Sequence, residues 1–423
     1  MRRAFVTSAV GVGAGQLILF ASTPFLTRAY TPQEFGVYAV SFAIAGVLAT
    51  IAALRYDLAI SSSEKPDVSA LLTFALCLPL VTVPTITVVL LALQHLVAFQ
   101  LPLDTPALIL ATASTAIAQG MVLVSWSYCA SLGRFRTSSA LRIAQPTVFV
   151  ASALFLFDSL INAMLLSWAA TILLMLGLLV KEKSLSLRGG VFATAAKYRK
   201  ISAVSTPVTL LDSLTLAIPV IFIGFAFGDD SAGQYSQVQR LLAAPLMLLS
   251  MSISPVFMKF GGDAYREKGS ILDVVLKIFK IILAISVAYV ILITLTGESI
   301  IPIIMGDFWK TDLSFLMLCL MPVAIRACVS PLSGIFALVG RIFIGSFWQT
   351  LYFCTTVFII FISYKYLNML EFLLLLMAHE LVLYLCYLAF IVIVARGAEK
   401  ARTMEVSERA LLVEAPSSSR EQR

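Results

Sequence analysis

The sequence predicts an all-α polytopic membrane protein with twelve transmembrane helices, arranged as two parallel-repeat six-helix bundles. Three observations lead to this prediction: twelve long apolar segments, an uneven distribution of basic residues between alternate loops, and short motifs that recur in the two halves. Composition agrees, because 60% of the 423 residues are hydrophobic and only 13% are charged. A chain that lies mostly within hydrocarbon is expected to carry few charges.

Each apolar segment is long enough to cross about 30 Å of hydrocarbon as a helix. The segments lie near residues 6–28, 36–57, 69–95, 106–128, 138–157, 160–180, 201–227, 233–258, 271–296, 312–336, 341–363 and 369–395. The first follows two arginines, as a signal peptide would, but it is long and lacks a convincing cleavage site. We therefore interpret it as the first transmembrane helix.

Basic residues fall almost entirely in every second loop. With the N-terminus in the cytoplasm, the opposite loops contain only Arg28, Lys310 and Lys365 among the Lys and Arg residues. The positive-inside rule then predicts that both termini are cytoplasmic, as expected for a multi-pass protein of the bacterial inner membrane. The net charge of +7 reflects cytoplasmic loops, and it argues against a nucleic-acid partner.

Sequence motifs give no sign of an enzyme. The six cysteines show neither zinc spacing nor a disulfide framework, so we expect no metal site. The glycines at 11, 13 and 15 lie within an apolar segment and are best explained by helix packing rather than nucleotide binding. The chain contains no phosphate-binding loop, HExxH motif or GxSxG motif, and we expect no cofactor.

The chain divides into two halves around a basic linker. Residues 181–200 are the longest interior cytoplasmic stretch, and they separate a predicted bundle at 1–180 from another at 201–395. The charged, serine-rich segment 396–423 is expected to be a mobile cytoplasmic tail.

Two pairs of motifs suggest an internal repeat. Gly36-Val37-Tyr38 recurs 197 residues later as Gly233-Gln234-Tyr235, and Gly133-Arg134-Phe135 recurs 207 residues later as Gly340-Arg341-Ile342. Two six-helix units enter the membrane with the same orientation, so an axis along the membrane normal would relate them. Substrate is then expected between the halves, near the middle of the membrane.

Ionisable residues inside the hydrocarbon are the candidates for function, since inserting one costs about 2.5–3.5 kcal/mol. Arginines can hold phosphate oxygens in a bidentate fork, so we predict a phosphate- or diphosphate-bearing substrate bound by Arg28, Arg55, Arg240 and Arg326. Simpler alternatives stay open. Arg240 with Asp212, or Arg326 with Glu380, could form ion pairs that only hold helices together, and Arg28 and Arg55 could extend to an interface.

The remaining intramembrane ionisable residues are candidates for ion coupling. Asp212, His379 and Glu380 could relay protons or bind sodium, or they could serve as hydrogen-bonded partners within the bundle.

The order of residues resembles bacterial polysaccharide-export flippases of the Wzx type, which transport O-antigen and related glycans. The clearest stretch reads TRAYTPQEFGVY from Thr27 to Tyr38. The resemblance continues through Leu54-Arg55-Tyr56-Asp57, Lys197-Tyr198-Arg199-Lys200, Gly233-Gln234-Tyr235, Arg240-Leu241 with Pro245, Gly306 with Trp309, and Pro331-Leu332-Ser333. It covers the membrane region and excludes the tail after Ala395.

This resemblance implies membership of the multidrug/oligosaccharidyl-lipid/polysaccharide exporter superfamily. It implies alternating access through a cationic cavity, which moves undecaprenyl-diphosphate-linked oligosaccharide to the periplasmic leaflet during lipopolysaccharide, capsule or exopolysaccharide biosynthesis. Arg28, Arg55 and Arg240 match arginines that line the cavity of the related lipid II flippases, although this chain lacks their two extra C-terminal helices. The resemblance also suggests a monomer that works with a polysaccharide polymerase and a chain-length regulator.

Three rival functions remain at this stage. A cation-coupled multidrug or toxin extruder of the same superfamily would use Asp212 or Glu380 to bind the coupling ion, and cavity carboxylates outnumbering arginines would favour it. A polymerase or glycosyltransferase would need a larger extramembrane loop than this chain has. A scaffold for glycan assembly would not transport at all.

Overall fold

Helices make up the regular structure of the chain. The computed structural model describes residues 2–96, 103, 105–182, 184–185, 190–266 and 269–414, and within these ranges no strand occurs. The helices are α1 (Arg2–Ala29), α2 (Pro32–Ala52), α3 (Tyr56–Ser62), α4 (Val68–Cys77), α5 (Pro79–Leu96), α6 (Pro106–Ser131), α7 (Phe135–Phe155), α8 (Leu160–Lys181), α9 (Val191–Lys197), α10 (Arg199–Phe227), α11 (Asp229–Arg266), α12 (Ile271–Met305), α13 (Leu313–Val329), α14 (Ile335–Leu338), α15 (Ile342–Tyr366) and α16 (Met369–Glu414), with 3-10 turns at Asp307–Trp309 and Ser330–Gly334. The all-α prediction is confirmed.

Eleven helical segments in the described ranges are long and apolar enough to cross a membrane, which confirms a polytopic protein. They correspond to eleven of the twelve predicted segments, and α4 and α5 together form one of them. The remaining predicted segment, 138–157, corresponds to α7, a helix of 21 residues. This helix is not among the eleven. Arg136, Arg142 and several hydroxyl side chains make it more polar, and it packs against α1 and α8.

Local sequence signals set several helix ends. Thr31 is the N-cap of α2, and its hydroxyl accepts a hydrogen bond from the Glu34 amide while the Glu34 carboxylate accepts from the Thr31 amide. Such a capping box satisfies two amides that the first turn leaves free, and a cap of this kind contributes about 1 kcal/mol. Pro32 occupies the first helical position, where its fixed φ is favourable.

A strained turn follows the C-terminal end of α2. Leu54 and Arg55 adopt positive φ angles of 46° and 59°, although neither is glycine. A left-handed residue of this kind costs about 1–2 kcal/mol, so surrounding contacts must hold the turn between α2 and α3.

The described residues form two compact units. One contains the chain up to Leu241 together with Gly297–Leu316 and Gln349–Phe372, and the other contains Leu242–Thr296, Met317–Trp348 and the chain from Leu373 onward. These limits do not follow the basic linker at 181–200, and the predicted bundles at 1–180 and 201–395 stay a prediction. The predicted tail at 396–423 begins within α16, and its last nine residues lie outside the described ranges.

Within the first unit, part of the basic linker is docked. Helix α9 packs against α4, and the Tyr56 hydroxyl donates to the Ala195 carbonyl at 3.2 Å. Lys197 forms ion pairs with Asp67 at 2.9 Å and Glu64 at 3.4 Å. The linker therefore has defined contacts with the α3–α4 segment.

Candidate functional site

A cavity of about 320 Å³ lies within the first unit, between α1, α2, α7, α10 and α11. These helices come from both sides of the linker at 181–200. The polar residues that line the cavity are Gln16, Tyr38, Gln145, Ser236, Gln237 and Arg240. Aliphatic and phenylalanine side chains complete its walls. An apolar cavity with a few convergent polar groups is typical of a small-ligand site.

Arg240 is the charged residue of this cavity. It lies eleven residues beyond Asp229 on α11, about 16 Å along the helix. Its guanidinium lies beside the Tyr38 hydroxyl, and both residues line the cavity. Among the described residues, no carboxylate pairs with Arg240 and none lines the cavity. The cavity therefore carries a positive charge that no acid in the described part of the chain pairs with.

A close helix crossing places Tyr38 and Arg240 together. At Gly36 on α2, an added Cβ would lie 1.8 Å from the Asp229 carbonyl oxygen, and at Gly233 on α11 it would lie 1.8 Å from the Pro32 carbonyl oxygen. Only glycine lets the two backbones approach so closely. From this crossing both helices continue along the cavity.

Aromatic rings form one wall. The Tyr38 ring stacks with Phe42, with centroids 5.7 Å apart, and with Phe149, with centroids 5.4 Å apart. This stack joins α2 to α7 and presents a flat apolar surface beside the polar groups.

Two glutamines in apolar helices add hydrogen-bonding capacity. Gln237 is only 4% exposed, and its amide has no hydrogen-bond partner among the described residues. The Gln145 amide donates to the Ser167 hydroxyl at 3.2 Å, which leaves its carbonyl oxygen available to the cavity. Tyr38, Gln145 and Gln237 were not among the site residues predicted from the sequence, which were all charged or histidine. Uncharged polar side chains deep in apolar segments were the signal that could have found them.

Arg28 lies at the end of α1, outside this cavity. Its guanidinium donates to three backbone carbonyls: Pro24 at 2.8 Å, Ile303 at 2.6 Å and Ile304 at 3.1 Å. The last two belong to the final turn of α12, whose carbonyls have no partner within the helix. The structure thus places Arg28 as a cap on that helix end.

Arg55 lies beyond the other end of α2. It pairs with Asp57 at 3.3 Å, and burial raises the pKa of this carboxyl while Arg55 opposes the rise. Because α2 is 21 residues long, Arg28 and Arg55 are separated by about 30 Å along it. Arg28, Arg55 and Arg240 therefore do not converge on one cavity.

Arg326 lies in the second unit and forms an ion pair with Glu380 at 2.9 Å. The Glu380 side chain is 5% exposed, and the Arg326 guanidinium lies 5.8 Å from the centre of the Tyr384 ring. The structure therefore contains the ion pair that the sequence left open as an alternative. His379 precedes Glu380 and is half-buried.

Asp212 is exposed on α10, and Arg240 is not its partner. The neighbouring Ser213 hydroxyl lies 3.1 Å from that of Thr50. In the described part of the chain, no group of three or more His, Cys, Asp or Glu side chains is placed to hold a metal ion.

Comparisons with known proteins identify a family and a fold. A family model described as "Polysaccharide biosynthesis protein" matches residues 1–260. No curated protein of similar sequence was found.

The fold is similar to that of solved multidrug transporters. The inward-facing conformation of a multidrug resistance MATE family transporter of the MOP superfamily aligns with a TM-score of 0.66 at 16% identity, covering 94% of this chain and 99% of the other. The outward-facing conformation of such a transporter gives 0.55 at 16% identity, covering 94% and 96%. A mutant of the Vibrio cholerae MATE transporter VcmN gives 0.54 at 12% identity, covering 95% and 97%. At these identities the likeness establishes the fold alone.

Proposed function

The chain belongs to the polysaccharide biosynthesis protein family, and we propose that it flips undecaprenyl-diphosphate-linked oligosaccharide from the cytoplasmic to the periplasmic leaflet. Transport would proceed by alternating access, with the Arg240 cavity as the binding site for the diphosphate. Family and fold both favour a transporter over an enzyme.

The observation that carries this proposal is the unneutralised charge of Arg240. A guanidinium stays protonated and can donate two parallel hydrogen bonds to phosphate oxygens, and its attraction is stronger in a site shielded from water. The Tyr38 hydroxyl beside it can orient one of these bonds. An anionic group therefore fits this cavity better than a neutral or cationic one.

The membrane potential would assist this direction of transport. Moving one negative charge outward from an inside-negative compartment releases about 2.3 kcal/mol per 100 mV if the charge crosses the full field. Proton or sodium coupling through Asp212, His379 or Glu380 is a further part of the proposal.

Extrusion of a cationic drug is the alternative, since the solved structures of this fold include multidrug transporters. A cationic cargo would require carboxylates in its binding site. The described residues that line the Arg240 cavity include none, so this cavity favours the flippase.

Orientation and partners complete the proposal. We place the protein in the bacterial inner membrane with both termini in the cytoplasm, as the basic loops require. It would function as a monomer of two six-helix bundles. The oligosaccharide that it flips would pass to a polysaccharide polymerase and a chain-length regulator.

The decisive experiment compares cells that lack the protein with cells that express variants of it. The fraction of lipid-linked oligosaccharide on the cytoplasmic leaflet is measured with a membrane-impermeant glycan probe in inverted vesicles. We expect accumulation without the protein, clearance by the unaltered chain and by the exposed control Arg136→Ala, and no clearance by Arg240→Ala. Unchanged surface glycan together with raised drug sensitivity would instead support the extruder.

A further inference from the structure

We propose that the groove between α7 and α8 binds an anionic glycerophospholipid, with one acyl chain along the groove and the headgroup phosphate at Lys181. The groove has a volume of about 790 Å³ and lies within the first unit. None of the described residues that line it also lines the Arg240 cavity. This lipid site is therefore separate from the cargo site and does not depend on which cargo the chain moves.

Small side chains form the floor of the groove. Ala140 and Ala144 lie about one helical turn apart on α7, and Ala170 and Gly177 lie about two turns apart on α8. At Gly177 an added Cβ would meet no atom within 4 Å, so the space above this residue is open. Small side chains on two packed helices leave a furrow that a narrow chain can enter.

Leucines with large exposed surfaces flank the furrow. Leu173 is 67% exposed, Leu174 is 55% exposed, and both line the groove. Their helix, α8, is apolar and long enough to cross a membrane. Exposed leucines on such a helix face hydrocarbon rather than water, so the groove opens toward lipid.

Lys181 gives the groove one charged end. It is exposed, lines the groove and forms no ion pair with any described residue. The neighbouring Glu182 carboxylate is paired with Arg134 instead. A lysine at the end of a membrane helix extends its ammonium group toward the lipid headgroups, where a phosphate complements its charge. Thr137, near the start of α7, adds a hydroxyl to the groove.

The length of the groove favours an acyl chain over a partner helix. From Lys181 to Ala170 the groove follows α8 for eleven residues, about 16 Å. One leaflet contributes about 15 Å of hydrocarbon, half of a core of about 30 Å. A transmembrane helix would need a contact surface along the whole of α8, which begins ten residues earlier at Leu160. The groove thus matches one acyl chain of the leaflet on the Lys181 side.

The test measures phospholipid bound to the purified full-length chain by native mass spectrometry. The probes are dioleoyl phosphatidylglycerol, which is anionic, and dioleoyl phosphatidylcholine, which has the same chains and no net charge. We expect one phosphatidylglycerol to bind about fivefold more tightly than phosphatidylcholine, as one basic residue beside an anionic headgroup provides. Equal affinity for the two lipids would overturn the inference.

Two variants test the two parts of the site. Gly177→Leu fills the furrow and should weaken the tightest binding of both lipids at least tenfold, with an unchanged melting temperature because the new side chain has room. Lys181→Gln should remove the fivefold preference and keep the affinity for phosphatidylcholine. Gly345→Leu and Lys200→Gln are the matched controls. An added Cβ at Gly345 also meets no atom within 4 Å, Lys200 is exposed, and neither residue lines the groove.

Three results would contradict the proposed lipid site. Unchanged phosphatidylglycerol affinity in both Gly177→Leu and Lys181→Gln would place the bound lipid elsewhere. If Gly177→Leu kept that affinity but turned a dimer into a monomer, a second copy of the chain would cover the groove. If farnesyl diphosphate, a short analogue of the proposed cargo, bound more tightly than phosphatidylglycerol and lost its affinity in Gly177→Leu, the groove would belong to the cargo lipid.

Discussion

Gly36 and Gly233 make reciprocal contacts at the crossing of α2 and α11. Gly36 faces the Asp229 carbonyl, and Gly233 faces the Pro32 carbonyl, each so closely that a Cβ would lie 1.8 Å from the oxygen. Pro32 and Asp229 are 197 residues apart, as are the two glycines. Equivalent positions of the predicted repeat thus exchange the same contact, as a local two-fold relationship requires.

The first prediction follows from this crossing. Gly36→Ala or Gly233→Ala should destabilise the chain by about 1–3 kcal/mol or more, because the new methyl group meets backbone that cannot rotate away. Thermal unfolding in detergent measures the effect. Gly46→Ala on the same helix is the control, since nothing lies within 4 Å of its added Cβ. A normal melting temperature for Gly36→Ala would show that the crossing is looser than described.

The second prediction concerns Arg28. Its guanidinium is committed to the carbonyls of Pro24, Ile303 and Ile304, so Arg28→Gln should lower stability by about 1 kcal/mol. Its affinity for farnesyl diphosphate should stay unchanged. Lys310→Gln provides a nearby control, because Lys310 is exposed and, among the described residues, its ion pair is with the exposed Asp307. Loss of diphosphate affinity without loss of stability would restore the substrate-binding role that the sequence suggested.

The sequence predicted elements better than it predicted which residues meet. Apolar length and turn signals such as Thr31-Pro32 depend on local energies, so the membrane-length helices begin near their predicted limits. Their ends agree less well, because α12 continues to Met305 and α16 to Glu414. The α7 segment was harder to recognise as a membrane-spanning helix from its hydropathy. Arg142 lies within it, and its guanidinium is 3.9 Å from the centre of the Trp126 ring. Tertiary packing of this kind lets a helix carry charge, and sequence hydropathy does not record it.

The residues of the candidate site were likewise only partly predictable from the sequence. Arg240 could be selected because a charge within hydrocarbon is costly and therefore conspicuous. Gln237 costs less to bury and gives no comparable signal, although its missing hydrogen bonds are plain once α11 is packed. Arg28 looked equivalent to Arg240 in sequence. Only the fold places the end of α12 against it.

The third prediction is a pH dependence of linker docking. Lys197 and the Tyr198 hydroxyl both donate to Asp67, and these bonds hold the pKa of the Asp67 carboxyl below its ordinary 3.8. The ionised carboxylate therefore stabilises the docked linker at pH values above 3.8, and this stabilisation is lost as the pH falls through the lowered pKa. Lys197 has a raised pKa for the same reason, so its contribution persists until strongly alkaline pH.

Asp67→Asn checks this dependence. The variant should expose the linker to protease faster than the unaltered chain at pH 6–8, a range chosen because both groups are then charged. The difference should shrink as acid protonates Asp67. Glu64→Gln should have a smaller effect, since Glu64 lies farther from Lys197, at 3.4 Å. A difference that persists unchanged well below pH 3 would argue against the ion pair as its cause.

The fourth prediction concerns Arg326 and Glu380. Because the Glu380 side chain is 5% exposed and that of Arg326 is 34% exposed, removing the arginine takes the ion-pair partner away from the more deeply buried charge. Arg326→Met should cost about 3–5 kcal/mol, and Glu380→Gln should cost less. The double variant should lose less stability than the two single variants added together, as a double-mutant cycle of chemical unfolding would reveal.

The same double variant distinguishes an ion pair from a coupling site. If the pair only holds helices together, the folded double variant should still transport, and its rate should respond to proton or sodium gradients as before. If Glu380 with His379 carries the coupling ion, the variant should fold yet lose that response, because the Glu380 carboxylate that would bind the cation has been removed. Additive losses of stability together with a normal gradient response would contradict both roles for this pair.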